Sequence, residues 1–245
     1  MKGIILAGGT GTRLFPLTKA TNKHLLPVGI EPMIFNPIRQ LISAGLTDIL
    51  IVTSREHMGD VVRLLGSGSE FGCSFTFKVQ DRPGGIAEAL SLAEGFACGE
   101  RIIVILGDNI LTKSIKPYVD NFIKQNSGAK VLLKRVGDPE RFGVASLDET
   151  SKMIVQIDEK SPLPKSNYAV IGVYMYDNNV FNFIRSIKPS DRGELEITSV
   201  NNIYANSGNL TFDILEGEWT DAGTFESLIY ANELLFSIKN KIDTN

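Results

Sequence analysis

The junction between an apolar strand and a glycine-rich loop, near the start of the chain, constrains the fold more than any other segment. Ile4–Ala7 is a continuous apolar run, as expected of a strand buried on both faces of a sheet. Three of the next four residues are glycines, so backbone N–H groups there can approach phosphate oxygens closely. Arg13 closes the loop and Lys23 follows ten residues later, which supplies two cations for phosphate oxygens. The pattern predicts a site for the triphosphate of a nucleotide.

The loop differs from the commonest phosphate-binding motifs. The dinucleotide-binding motif needs a third glycine or an alanine, but this chain has the bulky Leu14 at that position. The P-loop motif needs a Gly-Lys pair, which is absent from the sequence. A kinase glycine-rich loop continues into a hairpin strand, which Pro16 would interrupt. A glycine-rich turn that binds no ligand is the remaining alternative, and the two cations argue against it.

Composition is that of an ordinary globular protein. The chain has 245 residues, of which 43% are hydrophobic and 22% are charged, a length typical of one α/β domain. The net charge of −3 argues against a nucleic-acid partner but permits a local basic pocket. Cys73 and Cys98 match neither a CxxC motif nor a zinc-binding spacing. We find no secretory signal and no apolar run of membrane-spanning length, so we expect a cytoplasmic protein with no membrane partner.

Strands and helices alternate through the first half of the chain. Apolar or alternating runs predict strands at Ile4–Ala7, Ile49–Thr53, Phe75–Gln80 and Ile102–Leu106. Helical spacing predicts helices at Phe35–Ala44, Asp60–Leu65 and Ile86–Phe96. This order predicts an α/β fold with a Rossmann-like, doubly wound, mostly parallel sheet flanked by helices. Ligands of such sheets bind beyond the carboxyl ends of the strands, which is where Gly8, Gln80 and Asp108 fall.

The second half is less regular and richer in strands. Strands are predicted at Ala129–Val136, Gly143–Leu147, Ile154–Asp158 and Tyr168–Tyr176. Helices are predicted at Asn178–Ile187, Leu195–Asn206 and Phe225–Lys239. We expect these strands to extend the sheet, which would then be mixed, and to form a small β-rich portion around a second substrate. With no repeat and no linker, we expect a single domain over 1–245, with 1–110 mainly binding the nucleotide and 111–245 mainly the second substrate.

Two polar side chains at the predicted strand ends have the chemistry of a nucleotide site. Asp108 follows the strand Ile102–Leu106 almost directly, where a carboxylate can hold a hard cation such as Mg²⁺. A helix N-cap is the alternative role for this aspartate. Gln80 offers both a donor and an acceptor, which suits the N3–H and O4 edge of thymine or uracil. Gln80 alone does not distinguish these bases from adenine or guanine, and an exposed glutamine at a helix entry is the alternative.

The residues from Gly3 to Pro27 resemble the signature of the sugar-1-phosphate nucleotidyltransferases, which reads roughly L-A-G-G-x-G-T-R-L-x-P-L-T followed by K-x-L-L-P. Later segments extend the resemblance over essentially the whole chain and sharpen it to the short form of the thymidylyltransferase branch. These segments are Gln80–Ala87, Gly107–Asn109, Glu140–Val144, Asp158–Lys160, Ser166–Tyr174, Arg192–Thr198 and Glu218–Thr224. The chain departs from the pattern by having His24 for Gln, Phe142 for Tyr, Ser161 for Pro and Ser199 for Asp.

The resemblance implies the nucleotide-diphospho-sugar transferase fold and a Mg²⁺-dependent reaction. In that reaction α-D-glucose 1-phosphate attacks the α-phosphorus of dTTP in line, giving dTDP-glucose and pyrophosphate for the synthesis of dTDP-rhamnose and cell-surface polysaccharide. We also expect a homo-oligomer. A UTP- or CTP-dependent transferase and a catalytically inactive subunit that senses nucleotide sugars are the alternatives. The intact Arg13, Lys23, Asp108 and Asp221 argue against the inactive subunit.

Residue roles are carried over position by position from the resemblance. Arg13 would stabilise the leaving pyrophosphate, Lys23 would polarise the α-phosphate and Lys160 would hold the attacking phosphate. Mg²⁺ would be held by Asp108 and Asp221. The predicted nucleotide site, with base recognition by Gln80 and Gly85, comprises Leu6, Ala7, Gly8, Gly9, Thr10, Gly11, Thr12, Arg13, Lys23, Gln80, Gly85 and Asp108. The predicted sugar-phosphate site comprises Asn109, Gly143, Glu159, Lys160, Val170, Tyr174 and Arg192.

Overall fold

The computed structural model describes residues 1–148 and 153–243, and within them the chain forms thirteen strands and eight α-helices. The strands are β1 (Lys2–Ala7), β2 (Pro27–Val28), β3 (Glu31–Pro32), β4 (Asp48–Ser54), β5 (Ser74–Gln80), β6 (Ile102–Leu106), β7 (Asn109–Leu111), β8 (Ala129–Arg135), β9 (Gly143–Asp148), β10 (Met153–Glu159), β11 (Tyr168–Tyr176), β12 (Leu210–Ile214) and β13 (Trp219–Asp221). The helices are α1 (Phe35–Ser43), α2 (Met58–Leu65), α3 (Ile86–Ser91), α4 (Glu94–Ala97), α5 (Lys116–Ile123), α6 (Val180–Ser186), α7 (Ile197–Asn206) and α8 (Phe225–Asp243).

Nine of these strands form one sheet. Seven follow the order β10-β9-β11-β6-β1-β4-β5, and β8 pairs with both β11 and β12. In the first half, β4 and β5 run parallel, with Asp48 opposite Ser74 and Ser54 opposite Gln80. In the second half, β9 pairs antiparallel with β10 and β8 pairs antiparallel with β11, whereas β12 runs parallel to β8. The mixed sheet with its connecting helices confirms the predicted α/β fold class.

The chain divides into two compact units. The glycine-loop unit comprises Ile5–Pro83, Ile105–Lys116 and Glu216–Asn245. The β8–β12 unit comprises Met1–Ile4, Gly84–Val104 and Pro117–Leu215. No helix within residues 1–148 and 153–243 is both long and apolar enough to cross a membrane.

A hydrophobic cluster in the glycine-loop unit anchors the segments that carry its polar residues. Leu14 follows Arg13 directly, Leu26 closes the turn after Lys23, and Ala222 follows Asp221. Because each of these apolar side chains is buried, the polar neighbour of each is held close to a fixed point of the core. The buried members of the cluster are Leu14, Leu26, Val28, Met33, Ile110, Ala222 and Ala231.

Most predicted elements are present, and the misses have local causes. The predicted strands Ile102–Leu106 and Tyr168–Tyr176 match β6 and β11 residue for residue. The continuous helix predicted over Ile86–Phe96 is wrong, because α3 ends at Ser91 and α4 starts at Glu94. The hydroxyl of Ser91 donates to the carbonyl of Glu88 at 2.6 Å, a back-bond that often bends helices. The strands β7 and β13 were not predicted, since three residues are too few to show a period.

Candidate active site

The glycine-rich loop follows β1 directly and needs its glycines for backbone conformation. Gly9 and Gly11 have φ of 94° and 62°, in the left-handed region that favours glycine. The carbonyl of Gly11 accepts a hydrogen bond from the Thr18 hydroxyl at 2.9 Å, which fixes the far end of the loop. The 3₁₀ turn Thr12–Leu14 comes next, with Leu14 fully buried and Arg13 exposed. Leu14 is therefore a core residue at the position where a dinucleotide-binding motif would have glycine.

Gln80 lies against the start of this loop, and its role in base recognition stays a prediction. It is the last residue of β5 and is only 7% exposed. A Cβ added to Gly8 would lie 2.6 Å from Oε1 of Gln80, so the absence of a side chain at Gly8 allows this approach. The other predicted loop residues divide by position along the loop. Leu6 and Ala7 are buried in β1, whereas Thr10 and Thr12 are exposed.

Lys23 and Asp108 form a buried ion pair within the glycine-loop unit. Nζ of Lys23 lies 2.5 Å from Oδ2 of Asp108, and the two side chains are 14% and 12% exposed. Burial raises the pKa of Asp108, but the charges of Lys23 and His24 and the hydrogen bonds from Lys23 and Asn109 together outweigh burial and hold this pKa well below its usual range. Asp108 is therefore a carboxylate at neutral pH. An ionised acid is the form that can bind a divalent cation.

The second predicted metal ligand lies beside the first, although the two are far apart in sequence. β13 pairs antiparallel with β7, which places Asp221 opposite Asn109. The N–H of Ala222 donates to the carbonyl of Asp108 at 2.8 Å. A Cβ added to Gly223 would lie 2.9 Å from Nη2 of Arg13 and 3.6 Å from Oδ2 of Asp221, so glycine makes room for both. The structure thus brings together Arg13, Lys23, Asp108 and Asp221.

These donors fit a divalent cation that is shared with substrate. Mg²⁺ prefers oxygen ligands and is usually held by one or two carboxylates together with substrate phosphates and water. Asp108, directly before β7, and Asp221, at the end of the paired strand β13, supply two such carboxylates. In the part of the chain that the structure describes, no group of three or more His, Cys, Asp or Glu residues could hold a metal ion. A cation at this site would therefore need further oxygen ligands from phosphate or water.

Asn109 is held by two neighbouring side chains, and the contact with the sugar phosphate that was carried over to it stays a prediction. It is 1% exposed, and its Nδ2 donates to Oδ1 of Asp108 at 3.1 Å. Its Oδ1 accepts from the indole Nε1–H of Trp219 at 2.7 Å. The indole fixes the orientation of the amide, and the amide in turn orients Asp108. We did not predict this role for Trp219, whose only signal in the sequence is its place two residues before Asp221.

Four predicted sugar-phosphate residues come together in the β8–β12 unit. In the β9–β10 register, Gly143 lies opposite Glu159. Oε1 of Glu159 lies 3.7 Å from Nζ of Lys160 and 3.5 Å from Nη2 of Arg192. The hydroxyl of Thr198 donates to Oε2 of Glu159 at 2.5 Å, a contact that sequence reasoning missed. The result is a carboxylate surrounded by two cations and a hydroxyl, a pattern suited to sugar hydroxyls and a phosphate.

Lys160 has an uncommon backbone conformation. Its φ is 45°, and among the non-glycine residues that the structure describes only Cys98 also has a positive φ. The conformation costs about 1–2 kcal/mol for a residue with a Cβ. The N–H of Lys160 donates to the carbonyl of Phe142 at 2.9 Å, which helps to hold it. Such local strain is concentrated at functional sites, in keeping with the predicted role of Lys160.

The remaining predicted residues of this unit are largely packed. Val170 and Tyr174 are 9% and 4% exposed on β11, and the ring of Tyr174 stacks on Tyr176 with centroids 6.2 Å apart. Gly85 has φ of 101°, and a Cβ there would lie 2.5 Å from the carbonyl oxygen of Leu195. Glycine is therefore required at Gly85 by the backbone and by packing. The predicted contacts of these three residues with substrate stay predictions.

Comparisons with known proteins identify the family to which the chain is similar. The family model described as nucleotidyl transferase matches residues 2–237. A glucose-1-phosphate thymidylyltransferase from Neisseria meningitidis is 44% identical over 243 residues, which cover 98% of this chain and 84% of the relative. A solved Bacillus anthracis structure, described as a candidate glucose-1-phosphate thymidylyltransferase in complex with a sucrose, is 58% identical, with a TM-score of 0.92. The match covers 96% of this chain and 94% of the Bacillus anthracis chain.

A more distant structure extends the likeness in fold alone. A UDP-glucose pyrophosphorylase complexed with UDP-glucose is 24% identical, with a TM-score of 0.85 over 96% of this chain and 98% of the other. The shared architecture is the nucleotide-diphospho-sugar transferase fold that the sequence resemblance implied. Together with the family model and the relative of 44% identity, it confirms the resemblance, and the chain belongs to the nucleotidyl transferase family.

Proposed function

We propose that this protein transfers a thymidylyl group from dTTP to α-D-glucose 1-phosphate, giving dTDP-glucose and pyrophosphate. The observation that carries the proposal is the gathering of the glycine-rich loop, Arg13, Lys23, Asp108 and Asp221 in one unit, which suits a triphosphate. The choice of dTTP and glucose 1-phosphate is supported by relatives of 38–44% identity that are named for this reaction. Gln80, which lies against Gly8, has the donor and acceptor that a base such as thymine would need.

The reaction needs positioning and charge neutralisation more than proton transfer. The phosphate of the sugar is already an anion near neutral pH, so a general base is not required. Lys23 packs beside Gly11 of the loop, where it can neutralise charge on the α-phosphate, and Arg13 can do the same for the departing pyrophosphate. The backbone N–H groups of the loop would hold the triphosphate in line with the incoming oxygen, which lowers the entropic cost of the reaction.

The divalent metal suggested by the family is proposed to be Mg²⁺, held by Asp108 and Asp221. When bound, it would neutralise charge on the phosphate oxygens. Asp221 lies opposite Asn109, the residue after Asp108, and the charge of Lys23 is among the interactions that keep Asp108 ionised. Since both oxygens of Asp108 already have one donor, from Lys23 and Asn109, each retains a lone pair for a further ligand.

The sugar phosphate is proposed to bind the β8–β12 unit. Glu159 and the backbone of Gly143 would accept and donate hydrogen bonds to the sugar hydroxyls. Lys160 and Arg192 would hold its phosphate, and Arg192 is already oriented by Glu196 at 2.9 Å. We further propose that residues 1–245 act as one domain, with 1–110 mainly for the nucleotide and 111–245 mainly for the sugar phosphate.

The wider setting is proposed from the resemblance and from composition. The protein would work in the cytoplasm as a homo-oligomer, without nucleic-acid or membrane partners. Its product would feed dTDP-rhamnose and cell-surface polysaccharide synthesis.

Pyrophosphate release tests the proposed reaction directly. The purified protein is incubated with Mg²⁺, glucose 1-phosphate and each of dTTP, UTP, CTP and ATP in turn. We expect the highest kcat/KM with dTTP and no turnover when EDTA removes the metal. Equal or faster turnover with UTP would replace the thymidylyl assignment by a uridylyl one. An absence of turnover with all four, in a protein that still binds dTTP in a thermal-shift assay, would favour the sensing subunit.

A further inference from the structure

Asn22 is a buried polar residue immediately before Lys23, and it is 2% exposed. Its Oδ1 accepts from the backbone N–H of His24 at 2.8 Å and so caps the 3₁₀ turn Lys23–Leu25. The same oxygen lies 2.6 Å from Nδ1 of His24. Because an amide oxygen can only accept, Nδ1 of His24 carries the proton. Both acceptor positions of Asn22 are therefore taken by one neighbouring residue.

The other end of the Asn22 amide reaches β1, which leads into the glycine-rich loop, and the neighbouring strand β4. Nδ2 of Asn22 donates to the carbonyl of Ala7 at 3.4 Å and to Oγ1 of Thr53 at 3.5 Å. The hydroxyl of Thr53 donates to the same carbonyl at 3.1 Å. The amide orientation follows from chemistry, since the His24 N–H can only donate and the Ala7 carbonyl can only accept. Ala7 is the last residue of β1, so Asn22 ties the Lys23 turn to the residue directly before the loop.

His24 extends this contact to the segment that carries Asp108. Its ring is 1% exposed, and a Cβ added to Gly107 would lie 2.7 Å from Cδ2 of the ring. Gly107 directly precedes Asp108, and its N–H donates to the carbonyl of Leu6 at 2.9 Å. The pair of Asn22 and His24 therefore fills the space between the Lys23 turn, the end of β1 and the start of the Asp108 segment.

We propose that Asn22 is a positioning residue for nucleotidyl transfer, which through His24 and Ala7 fixes Lys23 between the glycine-rich loop and Asp108. A lysine side chain is a flexible stem, so its ammonium group is placed only as well as its backbone is held. A cation that is already in place requires no reorganisation at the moment of reaction. The inference rests on the proposed role of Lys23 toward the α-phosphate, and it extends that role to a residue that touches no substrate.

A double-mutant cycle tests whether Asn22 acts through Lys23. The variants are Asn22→Ala, Lys23→Ala and the double variant, assayed by pyrophosphate release with dTTP and glucose 1-phosphate. We expect Asn22→Ala to lower kcat about 10–100-fold, as loss of an outer positioning partner commonly does, with a smaller change in KM for dTTP. In the Lys23→Ala background, Asn22→Ala should lower kcat no further. Full additivity of the two losses would overturn the inference while leaving the role of Lys23 intact.

Two further variants separate positioning from general loosening of the fold. Asn36 also uses both ends of its amide. Its Nδ2 donates to the carbonyl of Leu111 at 3.1 Å, and its Oδ1 accepts from the N–H of Leu111 at 3.0 Å, whereas neither bond reaches the Lys23 turn. Asn36→Ala should lower the melting temperature and leave kcat unchanged, and an equal loss of kcat there would overturn the inference.

If Asn22→Ala does not fold, Asn22→Ser takes its place in the cycle, because serine keeps an acceptor for the His24 N–H without reaching Ala7. Wild-type turnover by Lys23→Ala would refute the proposed role of Lys23, and the inference with it.

Discussion

The ion pair of Lys23 and Asp108, proposed for the nucleotide, is more deeply buried than Lys160 and Arg192, proposed for the sugar phosphate. In the glycine-loop unit, the side chains of Lys23 and Asp108 are 14% and 12% exposed and pair at 2.5 Å. In the β8–β12 unit, the side chains of Lys160 and Arg192 are 49% and 44% exposed. Buried pairs are weakly screened and costly to break, whereas exposed pairs contribute about 0–1 kcal/mol and respond to salt. The difference indicates that Lys23 and Asp108 are held in place before the nucleotide binds, whereas the side chains proposed for the sugar phosphate can adjust to it.

Replacing Lys23 with Met tests the buried ion pair of Lys23 and Asp108, and it should have the largest effect on stability and activity. The variant leaves Asp108 buried without its ammonium partner, which typically costs about 3–5 kcal/mol of folding stability. We also expect kcat to fall about 10²–10³-fold, as when a donor to developing charge is removed. Urea unfolding measures the first effect and pyrophosphate release measures the second.

A second substitution in the same variant provides the control. Adding Asp108→Asn to Lys23→Met removes the unpaired charge, so most of the stability should return while activity stays low. If Lys23→Met alone were as stable as the wild type, the buried pair would contribute no more to stability than the exposed pairs of the β8–β12 unit.

His24 makes the glycine-loop unit sensitive to acid. Burial, with a smaller contribution from the charge of Lys23, lowers the pKa of His24 from 6.5 to about 3. Below pH 6.5 the unfolded chain therefore takes up a proton that the folded chain does not. The free energy of unfolding is unaffected above pH 6.5 and falls as the pH decreases toward 3. At pH 5 this one group should remove about 2 kcal/mol, measured by denaturant unfolding at pH 7.5, 6 and 5.

His24→Gln is the matched control for this pH dependence. Glutamine keeps a polar side chain of similar size but does not titrate, so the slope between pH 6.5 and 5 should flatten. Asp108 acts in a separate window, because its pKa lies below the usual 3.8 and its contribution is lost only at more acidic pH. An unchanged slope in His24→Gln would assign the acid sensitivity to other groups.

Replacing Arg192 with Ala probes the exposed charges and should alter binding more than folding. Because this side chain is 44% exposed, we expect a loss of at most about 1 kcal/mol in stability. KM for glucose 1-phosphate should rise about tenfold, equivalent to roughly 1.4 kcal/mol, while KM for dTTP changes little. Steady-state kinetics with each substrate varied in turn measure this. A stability loss as large as that of Lys23→Met would remove the contrast between the two units.

The sequence predicted the parts of the molecule that are coded locally. Buried strands such as β6 and β11 have continuous apolar runs. The glycine-rich loop needs backbone conformations that only glycine adopts easily. The resemblance also led to Asp108 and Asp221, which the structure places directly before β7 and at the end of its partner strand β13. In each case a short stretch of residues carried the whole signal.

The partners that orient these residues could not be read in the same way. Trp219 meets Asn109 across 110 positions of sequence, and Thr198 meets Glu159 across 39. The strands that create the first contact, β7 and β13, have three residues each and show no periodic pattern. Such contacts are tertiary, so they follow from the pairing of distant segments and not from any local propensity.

Raising the salt concentration should have the smallest of these effects, and it should act mainly on the exposed charges of the β8–β12 unit. Raising the ionic strength from 0.1 M to 1 M shortens the screening length from about 10 Å to about 3 Å, which weakens exposed charges far more than buried ones. KM for glucose 1-phosphate should therefore rise severalfold with salt in the wild type, and this rise should be smaller in Arg192→Ala. Since Lys23 and Asp108 are buried, the fold stability that depends on them should change little over the same range. An identical salt dependence in the wild type and Arg192→Ala would mean that Arg192 does not provide the exposed cation for the sugar phosphate.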